Sequence, residues 1–309
     1  MKLYNDYNSY LKEKYGCKVY KIGLDAGFTC PNRDGQKGSG GCIYCNAGGS
    51  RAPYVNQGDP LKKQLEYRIG YLKEKRRAKK FIAYFQAFTN TYAPLERLKN
   101  TYDEVLPFKD IVGISIGTRP DAIDRDKLRL IASYKNRYEV WVEYGLQSIH
   151  DKTLRYINRG HDFNAFLNAV HITKEFALPM CAHVILGLPG ETRDDMMATA
   201  KKMAELKING IKIHLLHILK GSKLEPLYAK GQVQLLGEDE YVELACDFLE
   251  YLPPDMVIQR LTGEGGEDDH IAPTWALDKI GTINKIRETL TRRGSYQSFR
   301  IASTKESIS

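Results

Sequence analysis

The 309-residue sequence has no run approaching the roughly 18 unbroken apolar residues that a helical membrane span needs. Its opening, MKLYNDYNSYLKEKYG, is polar and lacks the apolar core of a secretory signal, so the expectation is a cytoplasmic protein with no membrane partner. Internal repeats, low-complexity tracts and Pro/Gly/Ser-rich linkers are absent, which favours one domain with an extension over two tethered ones. No histidine precedes His150. The six cysteines, in a chain this long without an export signal, do not read as a disulfide framework.

What is present is the composition of a globular protein, 42% hydrophobic and 27% charged, with material for a sizeable core. The net charge of +8 suits a polyanionic partner, because lysines and arginines that neutralise phosphates release condensed counterions. Part of the excess is clustered at Lys73, Lys75, Arg76, Arg77, Lys79 and Lys80, and part at Arg287, Arg292, Arg293 and Arg300. Solvated helix faces explain such clusters equally well.

Three cysteines crowd into GFTCPNRDGQKGSGGCIYCNAGG, as Cys30, Cys42 and Cys45, while Cys17, Cys181 and Cys246 stand alone. The spacing C-x11-C-x2-C follows the first strand candidate, and Gly35, Gly38, Gly40 and Gly41 let the loop fold back so that three thiols converge. Zinc is the rival reading, since C-x2-C is also a zinc half-site. Structural zinc takes four protein ligands, and Cys17 lies at the far end of that strand, at about 3.3 Å per residue well away from the loop. Three thiolates that leave one iron open form a coherent iron–sulfur site, which the cysteines favour without excluding zinc.

From about residue 18 short apolar runs alternate with helical patterns. The strand candidates are 19–26, 80–86, 110–117, 138–146, 181–188 and 211–219; the helical ones are near 60–77, 95–105, 122–135, 151–176 and 191–207. Alternation of this kind predicts an α/β fold with a parallel sheet and right-handed crossovers. Beyond residue 220 the rhythm changes to a helix over 238–250, a strand-like 256–261 and a helix over 274–293. The expected organisation is a core over 1–220 with a cysteine loop at 27–47, an extension over 221–297 packed on it, and a disordered tail over 298–309.

A (βα)6 pattern with cysteines after its first strand resembles the radical S-adenosylmethionine (SAM) superfamily, whose core is a partial (βα)6 barrel. The more usual spacing there is C-x3-C-x2-C; longer first gaps occur in Elp3-like enzymes. LDAGFTCPNRDG, YFQAFTNTYAP, GISIGTRPD, VEYGLQS, INRGHDF, GLPGET, GIKIHLLHILKGS and RLTGEG together are similar to the YtqA/YhcC subgroup along nearly the whole chain. The resemblance implies a radical SAM barrel with an α/β extension. It implies a [4Fe–4S] cluster on Cys30, Cys42 and Cys45, and reductive cleavage of SAM to a 5′-deoxyadenosyl radical. It further implies a tRNA substrate, modified on the C5 side chain of wobble (2-thio)uridine in an aminomethyl-type modification. The implied partners are tRNA, an electron donor such as flavodoxin or ferredoxin, and a SAM-dependent methyltransferase acting downstream. A radical SAM enzyme for a small metabolite or peptide, and a non-catalytic metal-binding RNA-interaction protein, are the competing readings. The acetyltransferase domain of Elp3-like proteins is missing.

In barrels of this kind the chemistry sits at the C-terminal ends of the strands. Tyr44 resembles the aromatic near the SAM adenine, or else packs on the rim. Gln86 and Thr89 stand where the superfamily places a Gly-Gly-Glu-like motif for the SAM amino group, and this sequence has no such motif. Arg119 can pair a SAM carboxylate or a substrate phosphate in bidentate fashion, or else pairs with Asp121. Glu143 and Gln147 share a strand face by period-two alternation, and a buried glutamate without a partner is costly, which points to ligand binding. Gly187 and Leu188 open the GLPGE turn that resembles the one approaching the adenine. Lys212 and His214 share a face opposite to His217, and the lumen-facing histidine is expected to touch substrate. Lys75, Arg76, Lys79 and Lys80 are the expected RNA contacts. The run from Glu267 to His270 reads as a solvated loop.

Overall fold

The computed structural model describes residues 2–263 and 268–301. A first helix, α1 (Tyr7–Tyr15), starts on the Asp6 side chain, which accepts from the Ser9 amide, and stops at Gly16 in the left-handed conformation. The core then runs β1 (Val19–Leu24), α2 (Leu61–Arg76), β2 (Lys80–Phe85), α3 (Leu95–Asp103), β3 (Ile111–Thr118), α4 (Arg125–Ser133) and β4 (Glu139–Gln147). It continues through α5 (Asp151–Tyr156), α6 (Phe163–Glu175), β5 (Met180–Leu186), α7 (Arg193–Glu205) and β6 (Gly210–Leu215). The C-terminal part adds β7 (Ile218–Leu219), α8 (Leu224–Ala229), α9 (Glu238–Glu250), β8 (Val257–Arg260), β9 (His270–Ala272) and α10 (Lys279–Arg293).

Seven strands form one parallel sheet in the order β1-β2-β3-β4-β5-β6-β8. The sheet curls. Lys21 Nζ on one edge strand donates to Gln259 Oε1 on the other at 3.2 Å, which an open, flat sheet of this width forbids. The result is the partial barrel expected from the alternation. Its outer layer of helices buries the main apolar core, including Leu65, Tyr102, Ile131, Phe166, Met203 and Phe248, against the outward side chains of the sheet.

Four expectations are corrected. The run 211–219 is not one strand: Leu216 donates to the Leu186 carbonyl at 3.0 Å, the ladder ends, and β7 pairs antiparallel with β9 instead. The helical pattern 151–176 is broken between α5 and α6 by Asn158 and Gly160, both at positive φ. The strand-like 256–261 joins the barrel as β8, so the sheet crosses the boundary placed at 220. The disordered tail placed at 298–309 does not begin at Ser298: the Ser298 amide donates to the Leu249 carbonyl, and Arg300 Nε pairs with Glu250 at 2.7 Å. Residues 302–309 lie outside the described residues, as does Glu267.

The bottom of the barrel, at the N-terminal ends of the strands, is covered by α1, which packs on both edge strands. Tyr7 and Tyr10 meet Trp141 edge-on. The Glu139 carboxylate there accepts from Tyr10 (2.9 Å), Tyr15 (3.0 Å) and Trp141 (2.6 Å).

Candidate active site

The segment after β1 turns back at each cysteine. The Cys30 carbonyl accepts from the Arg33 amide at 2.8 Å, and the Cys42 carbonyl from the Cys45 amide at 3.1 Å. Cys30, Cys42 and Cys45 thereby line one wall of a cavity of about 710 Å³ at the C-terminal ends of the strands. Cys42 is buried, and its sulfur takes contacts from Arg159 Nη1 (3.6 Å) and Asn32 Nδ2 (3.7 Å). A hydrogen bond from Cys45 and the charge of Arg159 outweigh burial and hold the Cys42 thiol well below its ordinary range. Three thiols from one loop, on a cavity wall and beside a buried cation, are a donor set that fits a cluster with one iron left for an exogenous ligand.

Gln86, Phe88 and Thr89 from the turn after β2 line the same cavity, as do Thr118, Gly145 and Gln147. Gln147 sits at positive φ beside an irregularity in the β4–β5 pairing, so the strand turns its last side chain into the space rather than along the ladder.

Deeper in the barrel one carboxylate collects three donors. Glu143 is wholly buried. Lys21 Nζ donates to its Oε1, Lys212 Nζ to Oε2 at 2.5 Å, and His183 Nε2 lies 2.9 Å from Oε2. Burial alone would raise its pKa; the charges of Lys21 and Lys212 and the His183 contact hold it well below the usual carboxylate range. Burial pushes His183 down to about 4, the charge of Lys212 adding to the effect, and lowers Lys212 itself to about 8. Among the described residues, Glu143, Cys181 and His183 also form a group of close metal-ligand atoms. Two ammonium groups already hold that carboxylate, so the group is an ion-pair network and not a cation site.

The structure brings together Cys30, Cys42, Cys45, Tyr44, Gln86, Thr89, Glu143, Gln147, His214 and His217 around one cavity, which also reaches Arg119. Both histidines face it because β6 ends at Leu215 and the alternation expected through His217 lapses. Lys212 is buried behind the surface, under the Tyr84 ring at 4.1 Å, and its Nζ donates to Glu143.

Arg119 is spent. Its fork closes on Asp121 at 2.8 and 2.9 Å, and its Nη1 donates to the Arg159 carbonyl at 2.8 Å, so the expected structural pair with Asp121 is formed. Gly187 and Leu188 do not line the cavity: Leu188 is packed with Leu154, Ile185 and Ile218, and the Gly187 amide meets the Met196 sulfur. Lys75, Arg76, Lys79 and Lys80 sit where α2 ends and β2 begins, at the opposite end of the strands from the cavity, since each helix runs back down the barrel. Lys75 there pairs with its neighbour Glu74 and Lys80 donates to the Tyr15 carbonyl. Sequence reasoning missed Lys21, Arg33, Arg68, Arg159, His183, Arg260 and Lys279 on the cavity wall. Arg159 was hidden inside an apparently continuous helix; Lys21 and His183 were legible as inward members of alternating strands.

The comparisons agree with this arrangement. Residues 32–203 match the Radical SAM superfamily and residues 208–292 the Radical_SAM C-terminal domain. This chain belongs to the radical SAM superfamily. It is 46% identical over 296 residues to the uncharacterised protein YtqA of Bacillus subtilis, covering 96% of this chain and 92% of that one. It is 38% identical over 294 residues to protein YhcC of Escherichia coli, covering 95% and 94%. Among solved structures it resembles the archaeal Elp3 of Methanocaldococcus infernus with a TM-score of 0.63 at 16% identity, covering 89% of this chain and 63% of that one, a likeness of fold. As a radical SAM enzyme it uses a [4Fe–4S] cluster and SAM, which together supply a low-potential electron and a carbon-centred radical able to abstract hydrogen. Among the described residues no helix is long and apolar enough to cross a membrane.

Proposed function

We propose that this radical SAM enzyme modifies the C5 side chain of wobble (2-thio)uridine in tRNA, an aminomethyl-type modification, with its cluster on Cys30, Cys42 and Cys45. The observation that carries the reading is the lining of the cavity. Arg33, Arg68 and Lys279 stand on its wall, and the Arg68 guanidinium lies 4.2 Å from the centre of the Tyr54 ring. Sequence-specific RNA recognition uses unstacked bases, held by aromatic and guanidinium planes and by phosphate contacts, and the surplus of +8 supports the electrostatic part. Similarity to the YtqA/YhcC subgroup along the chain supports the wobble position as the target. In this reading Tyr44, Gln86, Thr89 and Gln147 contact SAM, and His214 and His217 face the substrate base.

A tRNA substrate puts the enzyme in the cytoplasm. Flavodoxin or ferredoxin supplies the electron, and a SAM-dependent methyltransferase acts on the product. The test is mass spectrometry of tRNA nucleosides from cells lacking the gene. Loss of a C5-modified wobble uridine with accumulation of its precursor is expected; unchanged wobble nucleosides overturn the reading in favour of a small metabolite or peptide.

A further inference from the structure

The wall of the cavity continues onto the outside of the molecule along α2. Tyr54 is fixed by its hydroxyl, which donates to the Gly23 carbonyl on β1 at 3.0 Å. The Arg68 guanidinium lies 4.2 Å from the centre of the Tyr54 ring and 4.9 Å from that of Tyr71. Tyr54 and Arg68 line the cavity, whereas Tyr71 lies outside it and is 40% exposed. Among the described residues Arg68 forms no ion pair, so its charge is met by two rings and solvent.

The helix carries a second ring on the same side. Tyr67, Gly70 and Tyr71 share a face by their spacing of three and four, and Tyr67 is 59% exposed. A Cβ at Gly70 would meet nothing within 4 Å, so no packing contact requires a glycine there. Glycine inside a helix is destabilising relative to alanine. Its presence keeps the surface beside the two rings open. α2 as a whole bears six lysines and arginines against Glu66 and Glu74. Open aromatic faces beside an unpaired guanidinium, on a positively charged helix, suit a ligand that has both planar groups and phosphates. Unpaired nucleotides have both.

We propose that Tyr67, Gly70 and Tyr71 form a stacking platform for unpaired bases that flank the target nucleotide, with a flanking phosphate on Arg68. The platform lies outside the cavity and rests on the tRNA reading of the substrate. It holds the neighbours of the target base while that base enters the cavity past Tyr54.

The experiment is fluorescence anisotropy with the reconstituted full chain across a salt series. The probes are an anticodon stem-loop RNA with uridine at the wobble position and a fully paired RNA duplex of equal length. Wild type is expected to prefer the stem-loop. Tyr71→Ala and Tyr67→Ala should each weaken stem-loop binding about tenfold, the loss of one stacked base. Because no charge is removed, the log–log salt slope should stay as in wild type. Tyr71→Phe, which keeps the ring, should bind like wild type. Gly70→Leu places a side chain in open space, so it should fold normally and still weaken stem-loop binding. Native affinity in both Gly70→Leu and the Tyr67→Ala/Tyr71→Ala double variant overturns the platform and leaves the tRNA reading standing. So does an equal loss for stem-loop and duplex. No RNA binding by wild type overturns the tRNA reading itself, and the platform with it.

Discussion

Arg119 and Arg159 are joined through the backbone of one and the side chain of the other: Arg119 Nη1 donates to the Arg159 carbonyl at 2.8 Å. The fork of Arg119 holds Asp121, and Asp121 also takes Lys37 of the cysteine loop at 2.7 Å. A line of side chains therefore runs from the far flank of the loop, behind the cavity wall, to the residue that touches Cys42. It turns an arginine that reads as a ligand contact into a brace.

That brace predicts a particular failure. Arg119→Ala leaves Asp121 buried with only Lys37 and releases the Arg159 carbonyl, so global stability should fall by about 3 kcal/mol, the lower end for a broken buried pair. Urea unfolding of the apo-protein reads this directly. Weakened SAM binding at undiminished stability would restore the ligand role.

Glu143 makes a similar prediction with a different sign of charge left behind. Glu143→Gln leaves the buried Lys212 and the partly buried Lys21 without their carboxylate and should cost about 3–5 kcal/mol. The double change with Lys212→Met removes one of the stranded cations and should recover part of the loss. A double-mutant cycle by denaturant unfolding measures it, and additive losses would show that the two groups do not act as a pair.

The same floor sets an acid limb. His183 is neutral in the folded protein down to about 4, below its unfolded value of about 6.5. The unfolded chain therefore binds the extra proton first, and the stability this residue contributes is present above pH 6.5 and lost as pH falls from there towards 4. His217, also pushed down to about 4 by burial, acts in the same window. His183→Gln should flatten the fall by up to about 1.4 kcal/mol per pH unit near pH 5. Stability curves against pH for the two proteins are the check.

Iron content tests the cluster loop. Cys30→Ala, Cys42→Ala and Cys45→Ala should each abolish cluster binding after anaerobic reconstitution, whereas Cys246→Ala, whose thiol is buried at α9 against the Ile286 carbonyl, should retain about four irons per chain. Zinc held stoichiometrically with no iron would sink the assignment.

Under the tRNA reading, the cavity-side cations should carry the salt dependence. Changing Arg68 and Lys279 to Ala should reduce the log–log salt slope of tRNA binding by about 0.7–0.9 for each phosphate that is no longer neutralised. Changing Lys75, Arg76, Lys79 and Lys80 at the other end of the barrel should change it less. A larger effect from the second set would mean that tRNA wraps the outside of the barrel.

Much of the architecture was legible because it rests on periodicity. Six βα repeats, the cysteine loop after the first, and the inward-facing Glu143 all follow from alternation and spacing. What escaped detection depends on where alternation stops. Asn158 and Gly160 break a helix that composition alone continues, and so conceal Arg159; the end of β6 at Leu215 puts two histidines on one side. The position of the basic cluster near residue 75 was not legible for a related reason: charge is visible in a sequence, but which end of a strand it falls on is a matter of topology. α1 was not among the helical candidates because its stretch is polar and rich in tyrosine.

That helix has a consequence for everything above it. Lys21 lies over the Tyr7 ring at 5.3 Å, directly inside the layer that Tyr7, Tyr10 and Trp141 form across the bottom of the barrel. With this stopper in place Glu143 and Lys212 are buried, and their attraction acts through protein rather than water. Removing the helix would let a column of water in from below, and the two lysines would feel Glu143 only as groups in bulk solvent do. Tyr7–Tyr15 line no part of the cavity, yet by closing the bottom of the barrel they lower the effective dielectric around its charged floor.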